Sequence, residues 1–153
     1  MADISELYAA IGDLLVADSL LTTHADYGIG AGANARFYFG QSDSPLVVPQ
    51  IIASLVNAGP DDDYGQAVEF HPDWQFLVYH TRDAGCQAMI ERLAALLEIP
   101  RRNTTAVTTT NYVMPMCAQG ENLEMGLTGR TTANGQPIVG RVVLFRSIVR
   151  RTT

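Results

Sequence analysis

Three histidines, two cysteines and a run of three aspartates are the side chains of this 153-residue sequence whose chemistry could reach beyond packing. Asp61-Asp62-Asp63 sets three hard oxygen ligands in a row, the type a divalent cation takes. A calcium loop would also want glycine sixth and a bidentate acid twelfth; here Gly65 falls one place early and Pro72 stands twelfth. The run therefore reads as a solvated turn. His24, His71 and His80 are scattered, the last two nine apart on one extended segment, so no ligand spacing joins them. Cys86 with His80 is the one conceivable nucleophile and base, yet Cys86 falls on the apolar stripe of a helix, where a thiol behaves as a small hydrophobe.

Gly28-Ile29-Gly30-Ala31-Gly32-Ala33 has the glycine density of a phosphate-binding turn. It follows a helix and precedes a strand, however, the reverse of the order that aims backbone amides at a pyrophosphate. Flexibility accounts for those glycines better. There is no Gly-x-Ser-x-Gly elbow and no P-loop, and Asn103-Thr104-Thr105 would matter as a glycosylation acceptor only in a secreted protein. The expectation is a non-enzyme with no catalytic residues, no metal and no cofactor.

The elements that would position these residues follow from periodicity. Ile4, Leu7, Tyr8, Ile11, Leu14 and Leu15 recur at helical spacing, and Asp3 with Glu6 resembles a capping box, so a helix is expected over 3–17. Residues 22–35 read as a flexible loop. Strands are expected at 36–39, at 46–57 with Pro49 near its start, and at 67–80, where both faces are largely apolar, as in a central strand covered by helix on at least one side. Asp83 is expected to cap a second helix that carries Cys86, Met89, Ile90, Leu93 and Leu97 inward and ends at Ile99-Pro100. Threonine-rich 104–116, then 122–131, then 137–150 complete the strands, the last two joined by a tight turn at Asn134-Gly135. The order is α-β-β-β-α-β-β-β: an α+β fold whose mixed, mainly antiparallel sheet packs against two helices. Residues 1–153 read as one domain, with the loop at 22–35 and a C-terminal hairpin at 120–150.

A chain of this length buries roughly 68–70% of its unfolded surface, and 47% hydrophobic residues suffice for a core. Two cysteines make no disulfide framework, and the N-terminus lacks a basic start with an apolar run, so a cytoplasm-like compartment and no membrane span are expected. The charge is uneven. Residues 1–100 hold fourteen acids against three arginines, a net of −11; residues 101–153 hold seven arginines against two acids, a net of +5. All ten basic residues are arginine, which suits fixed bidentate pairs across interfaces. The asymmetry fits attraction between different surfaces of two copies, or neutralisation within one globule. Dispersed arginines in an acidic chain argue against sequence-specific nucleic-acid binding.

The helix at the start, the segment 36–56 with Val47-Val48-Pro49-Gln50-Ile51-Ile52, the segment Trp74-Gln75-Phe76-Leu77-Val78-Tyr79-His80-Thr81 and the helix 83–98 follow one another in an order that resembles the tail terminator proteins of long-tailed bacteriophages. The likeness runs over nearly the whole chain and rests on hydrophobic patterns. It implies a virion protein, assembled in the host cytoplasm, that forms a ring of six copies at the head-proximal end of the tail tube, stops tube polymerisation and offers the surface that joins the head. Its implied partners are further copies of itself, the tail tube protein and a head–tail connector or neck protein, with DNA passing through the lumen. Two segments exceed the compact pattern, the loop at 18–35 and the hairpin beyond Gln119; they fit an added interface, or a neighbouring neck or tail-completion protein. A small-molecule binding domain or enzyme is the remote alternative. A ring needs two unlike patches, and Arg141, Arg146, Arg150 and Arg151 against Asp61, Asp62 and Asp63 are the candidate contacts.

Overall fold

The computed structural model describes residues 5–40, 47–57 and 69–152. Asp3 and Asp61 to Asp63 lie outside the described residues. The elements run α1 (Ser5–Val16), α2 (Ser19–Thr23), β1 (Phe37–Phe39), β2 (Gln50–Asn57), β3 (Glu69–Phe70), β4 (Asp73–His80), α3 (Asp83–Leu97), β5 (Val107–Thr108), β6 (Tyr112–Thr131) and β7 (Pro137–Arg151). One sheet has the order β1-β2-β4-β7-β6-β5, with β3 also on β7. β1 runs parallel to β2, and the other pairs are antiparallel. The fold is therefore α+β, with a mixed, mainly antiparallel sheet and two main helices.

The apolar stripe that predicts the first helix is the stripe it buries: Leu7, Ile11 and Leu15 are closed off from solvent. They join Cys86, Met89, Ile90, Leu93 and Leu97 of α3 over one face of the sheet, where Ile51, Trp74, Phe76, Val143 and Phe145 lie in a single cluster. Phe76 and Phe145 meet edge to face at 5.6 Å, and Tyr8 of α1 does the same to Trp74. The Trp74 indole N–H donates to the Ser147 hydroxyl at 3.2 Å, and that hydroxyl donates to the Pro72 carbonyl at 2.6 Å, so the polar atoms of this buried corner are satisfied.

Several boundaries differ from expectation. The strand at 67–80 is broken at His71-Pro72 into β3 and β4, because proline has no N–H for the ladder. The register nevertheless continues along β7, from Glu69 opposite Arg150 to His80 opposite Val139. The strands at 104–116 and 122–131 are chiefly one strand, β6, whose register against β7 shifts at four places. The first three shifts each add one residue to β6 and the last adds two, which hides the two-residue alternation. An unpredicted short helix, α2, is capped by Asp18, whose carboxylate accepts from the Leu21 N–H at 2.8 Å. Asp83 does not cap α3; Arg82 holds that position without a side-chain bond, and Asp83 is turned to other partners. Glu6 accepts from the Asn111 N–H at 3.1 Å, and the capping box expected with Asp3 lies outside the described residues. The hairpin turn is longer than two residues: Gly135 N–H donates to Thr132 O, and Gly135 alone takes a left-handed φ of 81°.

Both main helices cover one face of the sheet. On the other, Ile52, Leu77, Val142 and Leu123 stand opposite one another across β2, β4, β7 and β6, forming an aliphatic row with no helix over it among the described residues.

Candidate interaction surface

The arginines of β7 divide into two groups. Arg141 is turned to the helix side, where its Nε donates to Asp83 Oδ1 at 2.6 Å and its Nη2 to Asp83 Oδ2 at 3.1 Å. Nη1 reaches Asn122 at 3.2 Å, and the side chain is only 14% exposed. This fork-to-fork pair holds the Asp83 carboxyl below its ordinary value, with help from the Gln87 amide. Arg150 donates from Nε to Glu69 Oε2 at 2.8 Å, tying the end of β7 to β3 at the surface. Arg146 is exposed, opposite Asp73 on β4 and Ala118 on β6, and makes no ion pair among the described residues. Arg151 is half-buried at the strand end opposite Tyr112. Part of the charge asymmetry is thus cancelled inside the molecule. Arg102 with Glu91 adds to that cancellation.

The structure does not gather the histidines and cysteines. His24 stacks on Tyr27 at 3.8 Å, and His71 lies 3.4 Å from Glu69 at the surface. His80 is buried: its Nδ1 accepts from the Arg82 N–H at 3.0 Å and its Nε2 lies 2.6 Å from the Asp26 carbonyl, which fixes the proton on Nε2. A Cβ on Gly85 would overlap that ring, so glycine there lets α3 lie against it. The Cys86 thiol is 3.6 Å from the Val78 carbonyl, and burial pushes its pKa up to about 11; burial likewise pushes Cys117 up to about 12. Neither is a poised nucleophile. Among the described residues no three histidine, cysteine or acidic side chains are grouped to hold a metal. An open cleft of about 520 Å³ lies between α1 and the chain before β5, lined by Asp13, Leu14, Asn103 and Val107 among others. It includes none of the histidines or cysteines, and Asp13 is the one ionisable group on its wall. Among the described residues no helix is long and apolar enough to cross a membrane.

The glycines of 28–32 answer to close approach at Gly28 and Gly30 and to a left-handed backbone at Gly30 and Gly32. A Cβ on Gly28 would run into the His24 carbonyl, and Gly30 adopts a φ of 96°. Ile29 is fully buried, and its amide donates to Leu21 O at 3.0 Å. Arg36 donates to the carbonyls of Pro49 and Gly28, stitching this segment to the start of β2.

Sequence reasoning missed the outer margin of the sheet. Leu123, Met125 and Leu127 on β6 are 55%, 46% and 71% exposed, and Val47 before β2 and Val56 near its end are 54% and 58% exposed. The signal was present in 122–131, where apolar residues alternate with polar ones in a strand that has no covering element.

No protein family matches this sequence, and no curated protein does. Among solved structures, a chain of the "Virion of native gene transfer agent (GTA) particle" is similar in fold, with a TM-score of 0.61 at 15% identity. The match takes in 95% of this chain and 96% of that one.

Proposed function

We propose that this single-domain protein is a structural subunit of a phage-like virion, a tail terminator that closes into a ring of six copies at the head-proximal end of the tail tube. The observation that carries this reading is the fold shared, almost end to end, with a chain of a gene transfer agent virion. The order of helices and strands supports the tail-terminator assignment, and the inert thiols and dispersed histidines favour assembly over catalysis. Its partners are other copies, the tail tube protein and a head–tail connector, and it acts in the assembled particle. In the ring, Arg146 is the leading cation of the candidate set for an acidic neighbour, with Asp61 to Asp63 as the opposing group and Arg151, at the strand end, a further member of the set. Arg141 and Arg150, already paired, hold their own subunit together. Native mass spectrometry of the full chain at low salt tests this. A mass of six copies is expected, and a single-copy mass at every concentration would overturn the ring.

A further inference from the structure

We infer that the tip of the β6–β7 hairpin of one copy docks into the cleft between α1 and β5 of the next, with Arg130 entering beside Asp13. The inference rests on the ring reading and adds to it a contact apart from that of Arg146 with Asp61 to Asp63. The wall of the cleft mixes apolar groups, Ala10 and Leu14 of α1 with Val107 of β5, and polar ones, Asp13, Thr105 and Thr108. The Asp13 carboxylate and both threonine hydroxyls make no hydrogen bond or ion pair among the described residues. Asn103 alone of the polar side chains there is engaged, donating to the Leu96 carbonyl at 2.8 Å and accepting from the Thr105 N–H at 3.0 Å. The cations just before it are turned away, Arg101 to Glu98 at 3.6 Å and Arg102 to Glu91 at 2.8 Å. Glu6, seven residues before Asp13 and on the same face of α1, adds a second negative charge to that face. Apolar walls for the stem, a carboxylate for the guanidinium and free hydroxyls for its remaining N–H groups are what an arginine side chain requires.

The other end of the β6–β7 pair supplies that arginine. Arg130 is the one charged residue between Thr128 and Gln136, is exposed, and makes no ion pair among the described residues. Between Leu127, opposite Val139, and Thr131, opposite Pro137, β6 has two residues more than β7, and this bulge carries Arg130 out of the ladder. The tip is nevertheless held. The Thr128 hydroxyl donates to the Ile138 carbonyl at 2.9 Å and accepts from the Arg130 N–H at 3.3 Å, and the Thr132 N–H donates to the Gln136 carbonyl at 2.8 Å. Arg130 is thus displayed on a preset frame, which lowers the entropy lost on docking. Pro137 at the tip and Arg150, level with Val113 and Thr108 by the cleft, are thirteen residues apart along β7, on the order of 40 Å. Arg130 therefore cannot reach Asp13 of its own chain, and a second copy must bring it. A basic finger at one end and an acidic cleft at the other are two unlike surfaces, the requirement for a head-to-tail contact that closes into a ring if the rotation permits.

Two measurements on the full chain test the inference. In low-salt native mass spectrometry, Arg130→Glu alone and Asp13→Arg alone should each lower the proportion of ring to single copy at least tenfold, and the two together should restore it. Both side chains are exposed, so each variant should keep the wild-type circular dichroism spectrum. Separately, the double variant Asp13→Cys with Arg130→Cys should run, after oxidation, as a ladder of linked copies on a non-reducing gel, whereas either single variant should give nothing longer than a pair, because Cys86 and Cys117 are buried. Wild-type rings with no such ladder, or single reversals that leave the rings intact, would overturn this contact and leave the ring standing. Reversals that break the ring and are not rescued by the exchange would overturn the pairing of Arg130 with Asp13. Wild-type protein that stays a single copy would overturn the ring reading and this inference together.

Discussion

The Arg141 guanidinium is occupied within its own chain, and that fact sets what the arginines of the C-terminal strand can do. A bidentate pair with Asp83 across the sheet and helix could not be read from the sequence, because the two are 58 positions apart and only the β4–β7 register brings them together. Arg146, five residues on along β7, sits on the opposite face and escapes that pairing. Asp18 shows what such pairs contribute. Its carboxylate caps α2 and accepts from Arg92 at 2.6 and 2.8 Å, chiefly because of which its pKa is lowered. A group whose folded pKa is depressed stabilises fully above its unfolded value, about 3.9, and loses that contribution as pH falls through the folded value. Asp18→Asn should therefore lower stability by about 1–2 kcal/mol at pH 7. In urea titrations the gap from wild type should shrink below pH 4. A gap that persisted unchanged to pH 2 would show that charge at Asp18 is not the cause. The two thiols make a second test at this scale. With pKa values near 11 and 12, Cys86 and Cys117 should stay unlabelled by a thiol reagent at pH 8 until the protein is unfolded.

At the scale of elements, long periodic segments were legible and interrupted ones were not. The stripes from Leu7 to Leu15 and from Cys86 to Leu97 mark α1 and α3 to within a residue or two, because one face of each is wholly buried. β6 does not show in the sequence as one strand, since four register shifts break its alternation. α2 is one turn and has no period to detect; only its aspartate cap announces it. The contact between α3 and the end of β4 depends on Gly85 facing the His80 ring. Gly85→Ala would force that buried ring from its hydrogen bonds and should cost about 2–3 kcal/mol. Differential scanning calorimetry should record a drop of roughly 4–12 °C, from about 2–4 °C per kcal/mol at this size. Hydrogen exchange should speed up at 26–30, which His80 ties down through the Asp26 carbonyl.

For the molecule as a whole, the helices close one face of the sheet and leave the other, with its aliphatic row, and the β6 edge to whatever lies outside. The apolar residues on both faces of β4 already pointed to a central strand covered by helix on at least one side, and among the described residues the helices cover one face. The charge asymmetry was legible as composition, but its meaning was not: ion pairs within the subunit absorb part of it, and strand order spreads the remainder across the sheet. Reversing Arg146 to Glu removes an exposed cation without touching those internal pairs, so it should weaken ring formation at low salt while the unfolding temperature stays within about 2 °C of wild type.

The most direct test of the account is to add the purified protein to uncapped phage tail tubes and image them by electron microscopy. It predicts ring-shaped density at one end of each tube and an end to further lengthening. Tubes that stay bare and continue to grow in excess protein would contradict it.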